Sequence, residues 1–258
     1  MSGDPHRRGW LAGLGAGLGG LWLAGCDRLS RSERALGALG AAEPLNRAVQ
    51  RLLGRSALAP EFTRADLSPA FKVNGTANPP DTDYQALAAG GFADWRLVVD
   101  GLVERPLSLT LDEVRALPAR TQITRHDCVE GWSCIGEWTG ARLGPLLDRA
   151  GLKPQARFVI LHCADTLDDT APEGLRKYYE SIDLVDARHP QTILAYAMNG
   201  APLSVGHGAP LRLRVERQLG YKQAKYVMRI EAAATLAGHG AGKGGFWEDR
   251  GYEWYAGI

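Results

Sequence analysis

The chain has 258 residues, 45% hydrophobic and 23% charged, which supports one ordinary globular domain plus an extension. Thirty basic against 29 acidic side chains leave a net charge of +1, so there is no broad field to attract nucleic acid. Four cysteines, at 26, 128, 134 and 163, are too few for a disulfide scaffold in a chain of this length.

At the N-terminus, Arg7-Arg8 precede a charge-free run from Gly9 to Gly25 that ends at Leu23-Ala24-Gly25-Cys26. The order is that of an export signal over 1–26, with basic, apolar and cleavage regions in turn. Seventeen Gly-rich residues fall short of the roughly 20 that cross a bilayer, which sets a retained membrane anchor as the alternative. Arg7-Arg8-Gly9-Trp10-Leu11 resembles a twin-arginine signal, the bacterial route for proteins already folded, and Leu23-Ala24-Gly25-Cys26 resembles a lipobox. On that reading Cys26 carries lipid and the protein is periplasmic, anchored to the membrane by its acyl chains. For the arginine pair alone, an ordinary basic leader is the plain alternative.

Residues 27–70 read as a tether, in which Pro44 to Arg55 has helical spacing with Leu45, Val49, Leu52 and Leu53 on one stripe. Strong patterning starts at Trp95 and defines a main domain over 71–258. Arg96 to Val103 reads as a strand leading into an Asp-Gly turn, and Pro106 demotes the next stretch to an edge. Thr110 and Glu113 have capping-box spacing for a helix. Thr121 to Cys128 is the next strand, and Gly140 to Ala150 the next helix, stopped by Gly151. Arg157 to Cys163 is a strand whose continuous apolar run suits burial on both faces. A helix comes next over Ser181 to Ala187, and Ile193 to Met198 and Leu203 flank an Asn199-Gly200 turn. Leu211, Leu213 and Val215 alternate with Arg212, Arg214 and Glu216, and Tyr226 to Ala232 closes the sheet. Strands and helices without a regular βαβ repeat predict an α+β fold around a mixed sheet.

Nucleotide, zinc-protease and c-type haem templates are absent: the chain has no Walker loop, no dinucleotide glycine fingerprint between a strand and a helix, no Cys-x-x-Cys and no His-Glu-x-x-His. There remain one thiol in Arg125-His126-Asp127-Cys128-Val129-Glu130-Gly131-Trp132-Ser133, and a basic, glycine-punctuated run from His207 to Lys225. Cys128 is most simply a metal ligand, with Arg125 and His126 favouring its thiolate form. A packing cysteine is the bland alternative. Cys134 and Cys163 are read as packing cysteines, with a disulfide among the three left to geometry.

These two runs together resemble the sulfite-oxidase-like molybdopterin oxidoreductases, and within them the periplasmic methionine sulfoxide reductase branch. The resemblance runs from about Phe71 to the C-terminus. It implies a mixed α+β molybdopterin-binding domain, with no immunoglobulin-like dimerisation domain in the stretch after Ile230, and a monomer. It implies a molybdenum ion bound by the Cys128 thiolate and by one pterin dithiolene, suited to two-electron oxygen-atom transfer. Arg212 aligns with an arginine that contacts the pterin phosphate, and Gly220-Tyr221-Lys222 with a turn that wraps it, with Lys225 close behind. His207 stands where relatives often carry Asn, and Cys163 falls near a pterin-contacting position. Asn74, with Tyr84 as its partner, fills a pterin-binding role at a spacing that differs from the reductases. Arg212 and Arg214 as the wet face of a strand are the alternative for that run.

Glu130 and His126 flank the metal ligand and are the candidates for proton transfer, lying on the Cys128 face if the strand continues. The C-terminal aromatics, Phe246 to Tyr255, either cover the cofactor mouth or pack the chain end. The expected substrate is a small or protein-bound sulfoxide, and the expected partner a separate electron carrier such as a membrane haem protein. Sulfite-dehydrogenase-type oxidation, a Cys/His hydrolase using Cys128 with His126, His162 or His207, and a non-catalytic lipoprotein are the alternatives.

Overall fold

The computed structural model describes residues 32–258; the signal and lipobox expectations for 1–26 lie outside them. Among the described residues no helix is long and apolar enough to cross a membrane. The chain divides between Arg55 and Ser56. In the first unit, α1 (Glu33–Gly40) and α2 (Ala42–Gly54) form a helical pair, and Leu45, Val49 and Leu52 of α2 stand exposed.

The second unit contains two five-stranded sheets. One has β1 (Arg96–Gly101), β2 (Leu107–Thr110), β5 (Phe158–Thr166), β6 (Lys177–Asp183) and β10 (Val227–Ala233), in the order β2-β1-β10-β5-β6. Only the β1–β10 pair is parallel, which makes the sheet mixed as expected. The other has β3 (Ala119–Cys128), β4 (Trp132–Arg142), β7 (Ile193–Met198) and β8 (Ala201–Pro202) in that order, with β9 (Arg212–Arg214) also pairing β7, over Ile193 to Ala195. The short helices are α3 (Thr82–Ala89), α4 (Leu111–Arg115), α5 (Leu143–Ala150) and α6 (Leu184–Ala187).

Local signals place most of these elements. Thr110 and Glu113 form the capping box of α4, β2 after Pro106 is an edge strand, and Gly151 ends α5 in the left-handed conformation. Asn199 and Gly200, at φ 51° and 79°, turn β7 into β8. Val159, Ile160 and Leu161 are wholly buried, and with Leu97, Val99, Leu146, Leu147 and Ile230 they make the main core.

Three readings change. Gly140 does not start a helix: it lies in β4, where a Cβ would come within 2.3 Å of the Leu194 carbonyl, so glycine there permits close strand approach. Ser181 and Ile182 belong to β6, and α6 starts only after Asp183, whose side chain caps it. Residues 56–70, read as tether, run along the second sheet: Glu61 bridges Thr124, and Ser68 exchanges hydrogen bonds with Ile135.

Candidate active site

Cys128 ends β3, and Val129-Glu130-Gly131 close a hairpin onto its cross-strand partner Trp132. Gly131 has φ 83° and donates its N–H to the Cys128 carbonyl at 3.0 Å, as the last position of a three-residue loop requires. The thiol is free and half-buried, and lines a cleft of about 210 Å³. The other walls come from Asn74 to Thr76, Asp165 at the end of β5, the 220–225 segment, and Trp247 and Tyr252 of the C-terminal tail.

Burial chiefly raises the Cys128 pKa, against backbone N–H groups of Glu130 and Val129 and the Lys72 charge. The thiolate expectation is therefore corrected for the metal-free protein. Arg125 turns out to Asp127 at 2.9 Å, and His126 carries no charge to offer. Burial and the Arg214, Arg212 and Lys225 cations hold His126 well below its ordinary range. Its Nδ1 accepts from Arg214 at 3.0 Å, which places the ring proton on Nε2. Gln223 interacts with the ring, yet neither its Oε1 nor His126 Nε2 completes an ordinary hydrogen bond.

Of the residues flanking the thiol, only Glu130 reaches the cleft as a titratable group. β3 stops at Cys128, so the anticipated alternation does not continue. Glu130 sits in the turn, where it accepts from Trp132 Nε1 at 2.8 Å and lies 3.8 Å from Lys72. His126 is wholly buried behind the hairpin, against Gly220: a Cβ on that glycine would lie 2.5 Å from Nε2.

The 207–225 run does not present a wet strand face. Arg212 and Arg214 are both fully buried, and Trp138 lies beneath both guanidiniums. Arg214 is neutralised by Glu216, with contacts of 2.9 and 2.5 Å. Arg212 has no carboxylate partner among the described residues; it donates only to the His207 and Gln223 carbonyls, and its Nε is unpaired. Lys225 is alike: its ammonium donates to the Thr76 and Gly206 carbonyls, at 2.5 and 2.8 Å. The two meet across Gly208, where a Cβ would touch both side chains. Burial and then the Arg214 charge lower Arg212 to about 9, against Glu216; burial and then the Arg212 charge lower Lys225 to about 7, against Asp165.

Gly220, Tyr221, Lys225 and Asn74 line the cleft, whereas Tyr84, Cys163, His207, Arg212 and Lys222 do not. Tyr84 is buried, with its hydroxyl on the Ala209 carbonyl at 2.6 Å. Cys163 is buried in β5, its thiol pushed far up by burial. His207 bridges Ser204 and the Phe71 carbonyl, anchoring the irregular segment that leads to Asn74. The Lys222 ammonium is held 2.5 Å from both Glu180 and Glu248, inside the fold and away from the cleft. Its role there is to pin the 220–222 turn to β6 and the C-terminal tail. Cys134 is free, with Sγ 3.8 Å from the Ala70 carbonyl.

Sequence reading missed Thr76, Asp165, Tyr178 and Gln223 as cleft residues. Asp165 is buried, its Oδ1 is unpaired, and burial raises it to about 6. A carboxylate directly after a strand buried on both faces was the available signal. None of His126, His162 and His207 hydrogen-bonds the Cys128 thiol, and its raised pKa is the reverse of what a Cys/His nucleophile needs.

A family model for the oxidoreductase molybdopterin binding domain matches residues 85–238. A protein of Azospira oryzae, provisionally named protein-methionine-sulfoxide reductase subunit YedZ1, is 37% identical over 98% of this chain and 88% of its own length. The protein-methionine-sulfoxide reductase catalytic subunit of Xanthomonas campestris is 37% identical over 54% of this chain, which spans only 45% of that protein. Among solved structures, the sulfane dehydrogenase SoxCD of Paracoccus pantotrophus superposes with a TM-score of 0.50 at 22% identity. That match covers 70% of this chain and 46% of the SoxCD chain, and shows the mixed α+β fold of the sulfite-oxidase-like kind.

The cleft residues suit an anionic pterin bearing a soft metal. Lys225 in the cleft wall and Arg212 behind it are buried cations that form no salt bridge among the described residues, a costly state that an anionic ligand relieves. Around them His126 Nε2, Arg212 Nε, Asp165 Oδ1 and Gln223 Oε1 are buried without hydrogen bonds, which is the pattern of polar groups reserved for a ligand. The half-buried thiol supplies a soft donor beside them. With the matched span and a relative aligned over nearly its whole length, the chain belongs to the oxidoreductase molybdopterin-binding domain family and is a molybdopterin-dependent oxidoreductase.

Proposed function

We propose that this protein is an exported oxidoreductase that removes an oxygen atom from a sulfoxide, with Cys128 as the protein ligand of a molybdenum ion held by one pterin dithiolene. The observation that carries the reading is one accessible thiol and the buried Lys225 ammonium lining one cleft, with Arg212 buried next to Lys225 across Gly208 and neither cation in a salt bridge among the described residues. When bound, the cofactor supplies two-electron oxygen-atom transfer. The protein's share is binding and proton supply. Arg212, Lys225 and the Gly220-Tyr221 backbone would hold the anionic end, with Asn74 on the facing wall. Lys222, Tyr84, His207 and His126 would act one step back, fixing the segments that carry those contacts. Glu130, exposed in the hairpin beside the thiol, would pass protons between solvent and the reacting oxygen.

The sulfoxide assignment draws on the names of the relatives and on the cleft mouth, where Val129, Leu167, Trp247 and Tyr252 offer an apolar seat for a thioether. Electrons would come from a separate membrane haem protein, and the signal expected over 1–26 would deliver the folded, loaded enzyme to the periplasmic side and anchor it there. The test is expression with the native leader in a cofactor-producing host, followed by metal analysis. About one molybdenum per chain is expected in the wild type and none in Cys128→Ser. Metal-free wild type from such a host refutes the assignment.

A further inference from the structure

Away from the cleft, three half-buried side chains converge beside β5 and β10. His162 Nε2 and His239 Nε2 both point at one oxygen of Glu231, at 2.9 and 3.2 Å, and the three ligand atoms lie within 4.8 Å of one another. Two atoms bound to a tetrahedral zinc at about 2.0–2.1 Å are ~3.3 Å apart, so little movement separates this arrangement from a coordination shell. None of the three lines the Cys128 cleft. A separate depression of about 410 Å³, lined by His162, His239, Gly238 and Gly240, opens beside them.

We propose that His162, Glu231 and His239 form a second metal site, taking a borderline divalent cation of the zinc class with water as its fourth ligand. Two imidazoles and a carboxylate are the donor set that such ions prefer, whereas calcium or magnesium would demand more oxygens. The charge permits it. Arg229 lies 3.1 Å from Glu231 and 3.3 Å from His162, but Asp100 engages its guanidinium at 2.8 and 2.9 Å. Two carboxylates against one guanidinium leave the cluster negative before any ion enters. To bind the ion each imidazole must present an unprotonated Nε2, its ring proton lying on Nδ1. His239 Nδ1 is buried and unpaired, so Nε2 alone holds this ring in place.

The consequence is mechanical. His239 belongs to the segment 238–245, in which five of eight residues are glycine, a stretch expensive to order. A cation joining His239 to β5 and β10 would fasten that segment to the sheet, just before Trp247 enters the cleft wall.

The experiment uses the full-length holoprotein, treated with a chelator and titrated with zinc chloride in a calorimeter. One zinc per chain is expected in the wild type and in Cys128→Ser. His239→Gln and Glu231→Gln should each weaken binding by at least roughly 100-fold, more than the loss of an outer-shell partner costs. Cobalt(II) should give the intense visible bands of a four-coordinate ion in the wild type only. Hydrogen exchange across 236–245 should slow on adding zinc to the wild type and stay unchanged in His239→Gln, which distinguishes binding from misfolding. Equal zinc affinity in the wild type and His239→Gln, or no binding by the wild type, overturns the proposal.

Discussion

Lys225 allows the logic of the cleft to be measured before any cofactor is bound. Its ammonium is buried beside the Arg212 guanidinium, and its pKa falls from the ordinary 10.5 to about 7. That difference corresponds to about 5 kcal/mol of unfavourable charge burial. The unfolded chain therefore binds more protons than the native state between pH 7 and 10.5, and the native state gains stability as pH rises through that window. In the cofactor-free protein the gain approaches about 1.4 kcal/mol per pH unit, and about 4 kcal/mol in all from pH 7 to 10. Lys225→Met removes the titrating group while keeping a similar length of chain. Urea unfolding of both proteins at pH 7, 8, 9 and 10 should give a wild-type-minus-variant difference that climbs with pH. With cofactor bound, an anion beside the ammonium restores its pKa and the slope should flatten. The variant should also retain less cofactor, by 10- to 100-fold, the worth of a charge-assisted contact of about 1.5–3 kcal/mol. Parallel pH curves for the two proteins would show that the ammonium is not desolvated and needs no ligand charge to offset its burial.

The Asp165 carboxyl has the opposite dependence. Raised from 3.8 to about 6, it makes the native cofactor-free protein lose about 3 kcal/mol as pH rises from 4 to 6, and Asp165→Asn should abolish that loss in the same assay. Gly220→Ala would drive a methyl to 2.5 Å from His126 Nε2 and 3.2 Å from the Asp127 carbonyl. It should cost about 1–3 kcal/mol by calorimetry and lower molybdenum content, since the displaced hairpin carries Cys128. Lys222→Met leaves Glu180 and Glu248 buried and unpaired and should cost about 3–5 kcal/mol, read by urea unfolding. Replacing all three by apolar residues should recover most of it.

Much of this protein was decided locally, and local effects are legible in sequence. Thr110 with Glu113, Gly151, Asn199-Gly200 and the edge strand after Pro106 all lie where their own backbone chemistry puts them. Cys128 was readable as a strand end, but the three-residue hairpin after it, with glycine at its third position, was not, because alternation alone allowed the strand to run on to Glu130. Tertiary structure decided the rest. β4 was missed because its glycines at 136 and 140 look like breakers until Phe71 and the Leu194 backbone are seen packed against them. The basic strand run suggested a solvent face by alternation, yet its arginines are buried over Trp138, since both faces of β9 are covered. No local pattern tells a cation with a counter-ion from one without. Arg214 and Lys222 meet carboxylates, Glu216 close by in sequence and Glu180 and Glu248 far from it, and they serve the fold. Arg212 and Lys225 hydrogen-bond only to carbonyls, and only the packing of distant segments could make that difference.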